Sequence, residues 1–183
     1  MNQDALGQEL LHQARAAIEE ALGGAPCPPP ADLSPLKEPG ATFVTLLKEG
    51  QLRGCIGSLQ AYRPLIADIR SNAVAAALHD PRFYAVELNE LNKIKVEVSL
   101  VSPPEALPFS DEKDLQQKLE PGVDGVIIRA GSRQATFLPQ VWEQLPAPAQ
   151  FLAHLKLKAG LPSDTPMESF SVQRYRVRKW KEI

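Results

Sequence analysis

The sequence predicts an α+β protein with a mixed, largely antiparallel sheet and packed helices. Three observations lead there. Two stretches, residues 41–56 and 123–138, read as β-hairpins closed by tight turns, a connection open only to antiparallel strands. A third run, residues 94–100, alternates apolar and polar residues as a half-buried strand does. Helical periods separate these strands without forming repeated βαβ units, so helices and strands follow in the order α, hairpin, α, β, α, hairpin, α, α, β.

Each element has a local cause. Leu6, Leu10, Leu11, Ala14, Ala17, Ile18 and Ala21 recur in steps of three and four, which predicts a helix over residues 4–22 stopped by Gly23-Gly24. Residues 25–39 carry six prolines. Proline lacks an amide donor, so this is an extended connector. Residues 41–47 are β-branched and apolar, residues 48–51 turn, and residues 52–56 return. Pro64 opens an alanine-rich helix that ends before Asp80-Pro81, because proline disfavours helical geometry in the residue preceding it. Ile94, Val96, Val98 and Leu100 face a core, opposite Lys95, Glu97 and Ser99. Ser110 or Asp111 caps a short helix through Leu119. A second hairpin turns at Ala130-Gly131-Ser132. A short helix follows Pro139, and another, residues 149–159, stops at Gly160. The last strand, residues 167–177, changes phase between Val172 and Tyr175, which predicts a bulge.

Composition narrows the function classes. The chain has 183 residues, enough for one large domain or two small ones. It is 44% hydrophobic and 23% charged, with a net charge of -2, an ordinary globular balance without the basic excess of a nucleic-acid binder. The basic residues Arg174, Arg176, Arg178, Lys179 and Lys181 read as a solvated edge strand, or as a phosphate patch. No apolar run approaches the ~20 residues of a membrane span. Met1-Asn2-Gln3-Asp4 lacks the basic and apolar regions of a signal peptide. Two cysteines, Cys27 and Cys55, make no disulfide framework, so a cytoplasmic protein with reduced thiols is expected. No Cys-x-x-Cys, His-x-x-x-His, phosphate loop or dinucleotide fingerprint appears, and neither metal nor cofactor is expected.

The densest chemistry lies in Leu52-Arg53-Gly54-Cys55-Ile56-Gly57. Residues two apart on a strand share a face, which puts Arg53 and Cys55 together on one side and Leu52, Gly54 and Ile56 on the other. A nearby cation favours the reactive thiolate. Gly54 and Gly57 let a ligand or another backbone approach closely. The bland alternative for Cys55 is a small buried hydrophobe. A cysteine nucleophile needs a base, and the chain has three histidines, His12, His79 and His154. All three read more simply as structural, and His79, at the corner after the helix, is the best partner for Cys55. Asp80 and Arg82 form a local ion pair or line a ligand site together with Arg53 and Glu97. Gln140, at a helix start, donates to a ligand or caps.

The residues quoted resemble the AMMECR-one domain family: Gly40 to Leu46, the hexapeptide, Asp80-Pro81-Arg82-Phe83, Ile94 to Leu100, Leu138-Pro139-Gln140-Val141, Phe151-Leu152 and Lys158-Ala159-Gly160-Leu161. The likeness covers roughly residues 6–180. It implies an α+β fold with a larger and a smaller subdomain around a cleft near the hexapeptide. Residues 1–183 are then a single such domain, and the smaller lobe lies near residues 110–148. It also implies similarity to component A of the AmmeMemoRadiSam set, whose companions are a Memo-like protein and a radical S-adenosylmethionine protein. Family members often carry a second cysteine in the late helix, where this chain reads His154-Leu155-Lys156-Leu157-Lys158. Two functions remain: a component that binds a small molecule or peptide and acts with those partners, or an enzyme using Cys55 as nucleophile or acid on an anionic substrate.

Overall fold

The computed structural model describes residues 3–183. The fold is α+β, with two four-stranded sheets. Along the chain come α1 (Gln3–Ala21), α2 (Ser34–Lys37), β1 (Ala41–Lys48), β2 (Gln51–Gly57), α3 (Leu65–Leu78) and β3 (Ile94–Val101). Then follow β4 (Glu105–Ala106), α4 (Glu112–Lys118), β5 (Gly125–Ala130), β6 (Arg133–Phe137), α5 (Pro148–Lys158), β7 (Ser171–Tyr175) and β8 (Val177–Lys181). The chain forms two compact units. One holds the described residues up to Val101 together with Arg178–Ile183, and the other spans Ser102–Val177.

In the first unit the sheet order is β2-β1-β3-β8, with β1 antiparallel to both β2 and β3. The apolar stripe of α1 is buried as its periodicity requires: Leu10, Ala14 and Ile18 are fully inaccessible. They share a core with Val44 and Leu46 of β1, Ile69 and Ala73 of α3, and Val96 and Val98 of β3. The proline-rich connector has no helix or strand apart from α2, a single turn with Pro35 in its first positions and Leu36 buried. It turns tightly where the Leu33 amide donates to the Ala31 carbonyl. The C-terminal residues complete this unit. The Trp180 indole lies where a side chain at Gly7 would stand. Arg15 donates through Nε and Nη2 to the Glu182 carboxylate, at 2.5 Å each, and Glu182 also accepts from the Val96 amide at 2.8 Å.

The second unit has sheet order β4-β7-β5-β6, all pairs antiparallel. Its core joins Val126 and Ile128 of β5 to Phe151, Leu152 and Leu155 of α5. Trp142 stacks on Phe151, with 3.7 Å between ring centroids, and its indole N–H donates to the Asp124 carbonyl. Asp111 caps α4, accepting from the Asp114 amide at 2.8 Å. The helix expected after Pro139 is a 3-10 turn, Pro139–Glu143.

The final strand differs from expectation. Residues 167–169 make a 3-10 turn, and the rest divides into β7 and β8, which lie in different sheets. No bulge separates Val172 from Tyr175: both lie in β7, whose pairing with β5 runs without a shift, and both are buried although they point to opposite faces. The chain changes sheet after them, at Arg176, whose amide donates to Ser102 Oγ and whose carbonyl accepts from the Ser102 amide. A two-residue strand such as β4 is too short to show alternation, and nothing in the sequence announces it. Three of the basic residues here, Arg174, Arg176 and Lys179, form ion pairs. Arg176 pairs with Glu120 at 3.0 Å, and Lys179 lies 3.6 Å from Glu97.

Candidate functional site

β2 is an edge strand, so one side of its backbone has no sheet partner. Cys55 stands opposite Thr45, with Sγ 3.2 Å from Thr45 Oγ1. Such closeness marks a pair that exchanges no ladder hydrogen bonds, whose main-chain groups point outward. The corner after α3 takes up both groups. The Cys55 amide donates to Asp80 Oδ2 at 2.9 Å. Arg82 Nη2 donates to the Cys55 carbonyl at 3.2 Å. Asp80 and Arg82 thus stand in for a neighbouring strand at one residue and close the open edge there.

Asp80 is almost inaccessible, whereas the Arg82 side chain is 55% exposed. Arg82 grips the carboxylate through Nε at 3.0 Å and Nη2 at 2.7 Å, and its own amide donates to Oδ1. These bonds from Arg82, with that of the Cys55 amide, outweigh burial and hold the Asp80 carboxyl well below the usual carboxylate range. A depressed folded-state value means stability present above the unfolded value near 3.9 and lost as pH falls from there towards the folded value. Acid unfolding followed by circular dichroism should show a steeper loss below about pH 4 in the natural protein than in Asp80→Asn. Equal slopes would remove Asp80 from the acid response.

Arg53 is placed otherwise than an unbroken strand predicts. Pairing with β1 shifts between Leu46 and Leu47: Leu46 faces Gly54 while Leu47 faces Leu52. Arg53 is the extra residue of a bulge, and the alternation that would align it with Cys55 is interrupted. Its Nη1 donates to the Tyr84 carbonyl at 2.8 Å, and its Nη2 lies 2.7 Å from Glu90 Oε1. Burial pushes the Glu90 carboxyl up, but Lys48 and Arg53 together outweigh it and leave it below its ordinary value. The guanidinium therefore secures the segment leading to β3, while the thiol meets Thr45.

The glycines serve close packing. A side chain at Gly54 would run into the Ala76 carbonyl of α3, and one at Gly57 into the Phe43 ring. Glu97 faces Thr45 across β1 and β3, so Cys55, Thr45 and Glu97 form a row over three strands. His79 caps α3 through its amide and lines a groove between α1 and α3. The corner it belongs to does abut the hexapeptide, through Asp80. Gln140 lies exposed in the second unit. His12 is also exposed. Among the described residues no group of three or more His, Cys, Asp or Glu is placed to hold a metal ion, and no helix is long and apolar enough to cross a membrane.

A second polar cluster escapes sequence reasoning. Asp68, fully buried, accepts from the Thr42 amide and hydroxyl at 2.7 Å each, and from Ser58 Oγ and Arg63 Nε at 2.8 Å each. Asn72 Nδ2 donates to the Thr42 carbonyl at 2.9 Å and lies 3.0 Å from Asp68 Oδ2. The network ties the start of α3 to β1 and to the residue following β2. Its trace in the sequence is Asp68 and Asn72, four apart on an otherwise apolar helix face, and Thr42 in phase with Val44 and Leu46.

Similarity to known proteins covers nearly the whole chain. The AMMECR1 family model matches residues 11–180. A protein of Methanothermobacter thermautotrophicus is 42% identical over 86% of this chain and 84% of its own length. Protein MJ0810 of Methanocaldococcus jannaschii is 36% identical over 97% of this chain and 90% of its own. The crystal structure of uncharacterized protein PH0010 from Pyrococcus horikoshii superposes with a TM-score of 0.83 at 34% identity, covering 97% of this chain and 92% of that one.

Proposed function

This chain belongs to the AMMECR1 family, and from that premise we propose that it is a binding component that receives a small molecule or peptide at the Cys55–Arg82 corner. The observation that carries this reading is the state of Arg82. Its Nε and Nη2 are committed to Asp80 and to the Cys55 carbonyl. Nη1 has no partner among the described residues, on a side chain 55% exposed. A guanidinium held in place from behind loses little freedom when its free edge takes a carboxylate or phosphate. The resemblance to component A of the AmmeMemoRadiSam set supports a Memo-like protein and a radical S-adenosylmethionine protein as partners. Two free cysteines accord with action in the reducing cytoplasm.

Biolayer interferometry against the purified radical S-adenosylmethionine protein tests this. Arg82→Ala is expected to weaken association by about tenfold or more, with Cys55→Ala unchanged. Equal affinity of Arg82→Ala and the natural protein would show that the corner is not the docking site.

The Cys55–Thr45 contact favours a second reading, an enzyme with Cys55 as nucleophile or acid on an anionic substrate. Iodoacetamide labelling of the folded protein separates the two. Burial pushes the Cys27 thiol up, so Cys27 should label more slowly than free cysteine and serves as an internal reference. The enzyme reading expects Cys55 to label faster than free cysteine. A Cys55 that reacts only after unfolding would sink that reading.

A further inference from the structure

A groove of about 550 Å³ runs between α1 and α3, lined in part by His79 but by none of Cys55, Asp80 and Arg82. Ala17, Ala21, Val74 and Ala75 line it with apolar surface, and Glu20 and Arg70 bring opposite charges to it. This volume is in the range that holds small ligands.

The two charges are not paired with each other; each is held by something else. Arg70 donates through Nε and Nη2 to Gln13 Oε1 at 2.9 and 2.5 Å, and through Nη2 to the Pro28 carbonyl at 2.7 Å. Gln13 itself is fully buried. Glu20 accepts from the Cys27 amide through Oε2 at 3.1 Å. Arg70 Nη1 and Glu20 Oε1 have no partner among the described residues. The groove thus offers a cation held by three hydrogen bonds and, at its exposed rim, a carboxylate with one oxygen bonded to the Cys27 amide, beside an apolar surface. Opposite charges that line one groove without pairing with each other suit a ligand that brings the complementary pair.

We propose that this groove binds a small zwitterion, an α-amino acid or similar molecule with an amine and a carboxylate on an apolar body. The carboxylate meets Arg70, the ammonium meets Glu20, and the apolar body lies on the alanines. This goes beyond the reading above and shares none of its side chains.

Titration with L-leucine, followed by proton–nitrogen NMR, tests the proposal on the natural protein. Saturable shifts are expected at Ala17, Ala21, Ser71 and Ala75, with a dissociation constant of about 1 mM or tighter. N-acetyl-leucine lacks the ammonium and leucine amide lacks the carboxylate; each should bind about tenfold more weakly. Glu20→Gln should lose about tenfold for leucine but not for N-acetyl-leucine. Ser71→Trp, at an exposed groove residue, should abolish binding. The proposal is overturned by absence of saturation up to about 20 mM leucine. Equal binding of leucine and its two blocked analogues also overturns it. The analogue arm needs no variant and decides the matter even where a substitution disturbs folding.

Discussion

Asp68→Ala is expected to lose about 3–5 kcal/mol of unfolding free energy, the largest single loss predicted for this chain. The carboxylate is inaccessible and collects donors from Thr42, Ser58, Arg63 and Asn72. Its removal leaves a buried amide, hydroxyls and a guanidinium without their acceptor, and each must then be desolvated without compensation. Asp68→Asn should also be costly, because a neutral amide brings N–H donors to a place where only acceptors fit. Asn72→Ala should cost less, about 1–3 kcal/mol, since Asp68 retains its other donors. Urea unfolding of the three variants measures these differences. A loss below about 1 kcal/mol for Asp68→Ala would show that the network does not anchor α3 to the sheet.

Gly54→Val should destabilise by about 3 kcal/mol, at the upper end of overpacking costs. The added carbon meets main chain, the Ala76 carbonyl of α3, and a helix backbone cannot step aside as the end of a flexible side chain can. The same displacement would shift β2 and loosen the hold of Asp80 on the Cys55 amide. Gly54→Val should therefore also raise the iodoacetamide reactivity of Cys55, whereas an equally destabilising change in the second unit should leave it alone. A variant that keeps the natural urea midpoint would contradict the close approach of α3 to β2. Gly54→Ala should show the same effect at smaller size.

Much of the fold was legible because its causes are local. The stripe of α1, the hairpin of β1 and β2, the proline-started α3 and the alternation of β3 each follow from spacing within one short stretch. The end of the chain was not legible in the same way. Val172, Tyr175 and Val177 read as one bulged strand, because nothing between neighbours says that β7 and β8 pair in different sheets. The site divided similarly. Glycines at 54 and 57 signalled close approach, and the Asp80-Pro81-Arg82 corner signalled an ion pair. That this corner grips the amide and carbonyl of Cys55 depends on where the end of α3 lies against the edge of β2.

By itself, then, the sequence determined the fold class, most of the elements and the hexapeptide as the centre of interest, since periodicity, turn residues and glycine positions act over a few residues. Tertiary structure alone decided that Arg53 secures Glu90 and the Tyr84 carbonyl. It also decided that Thr45 meets the thiol, and that Asp68 gathers donors from β1, from the residue after β2 and from α3. The reason is physical. A buried hydrogen bond or ion pair joins groups distant along the chain, and a one-residue bulge is enough to redirect a side chain.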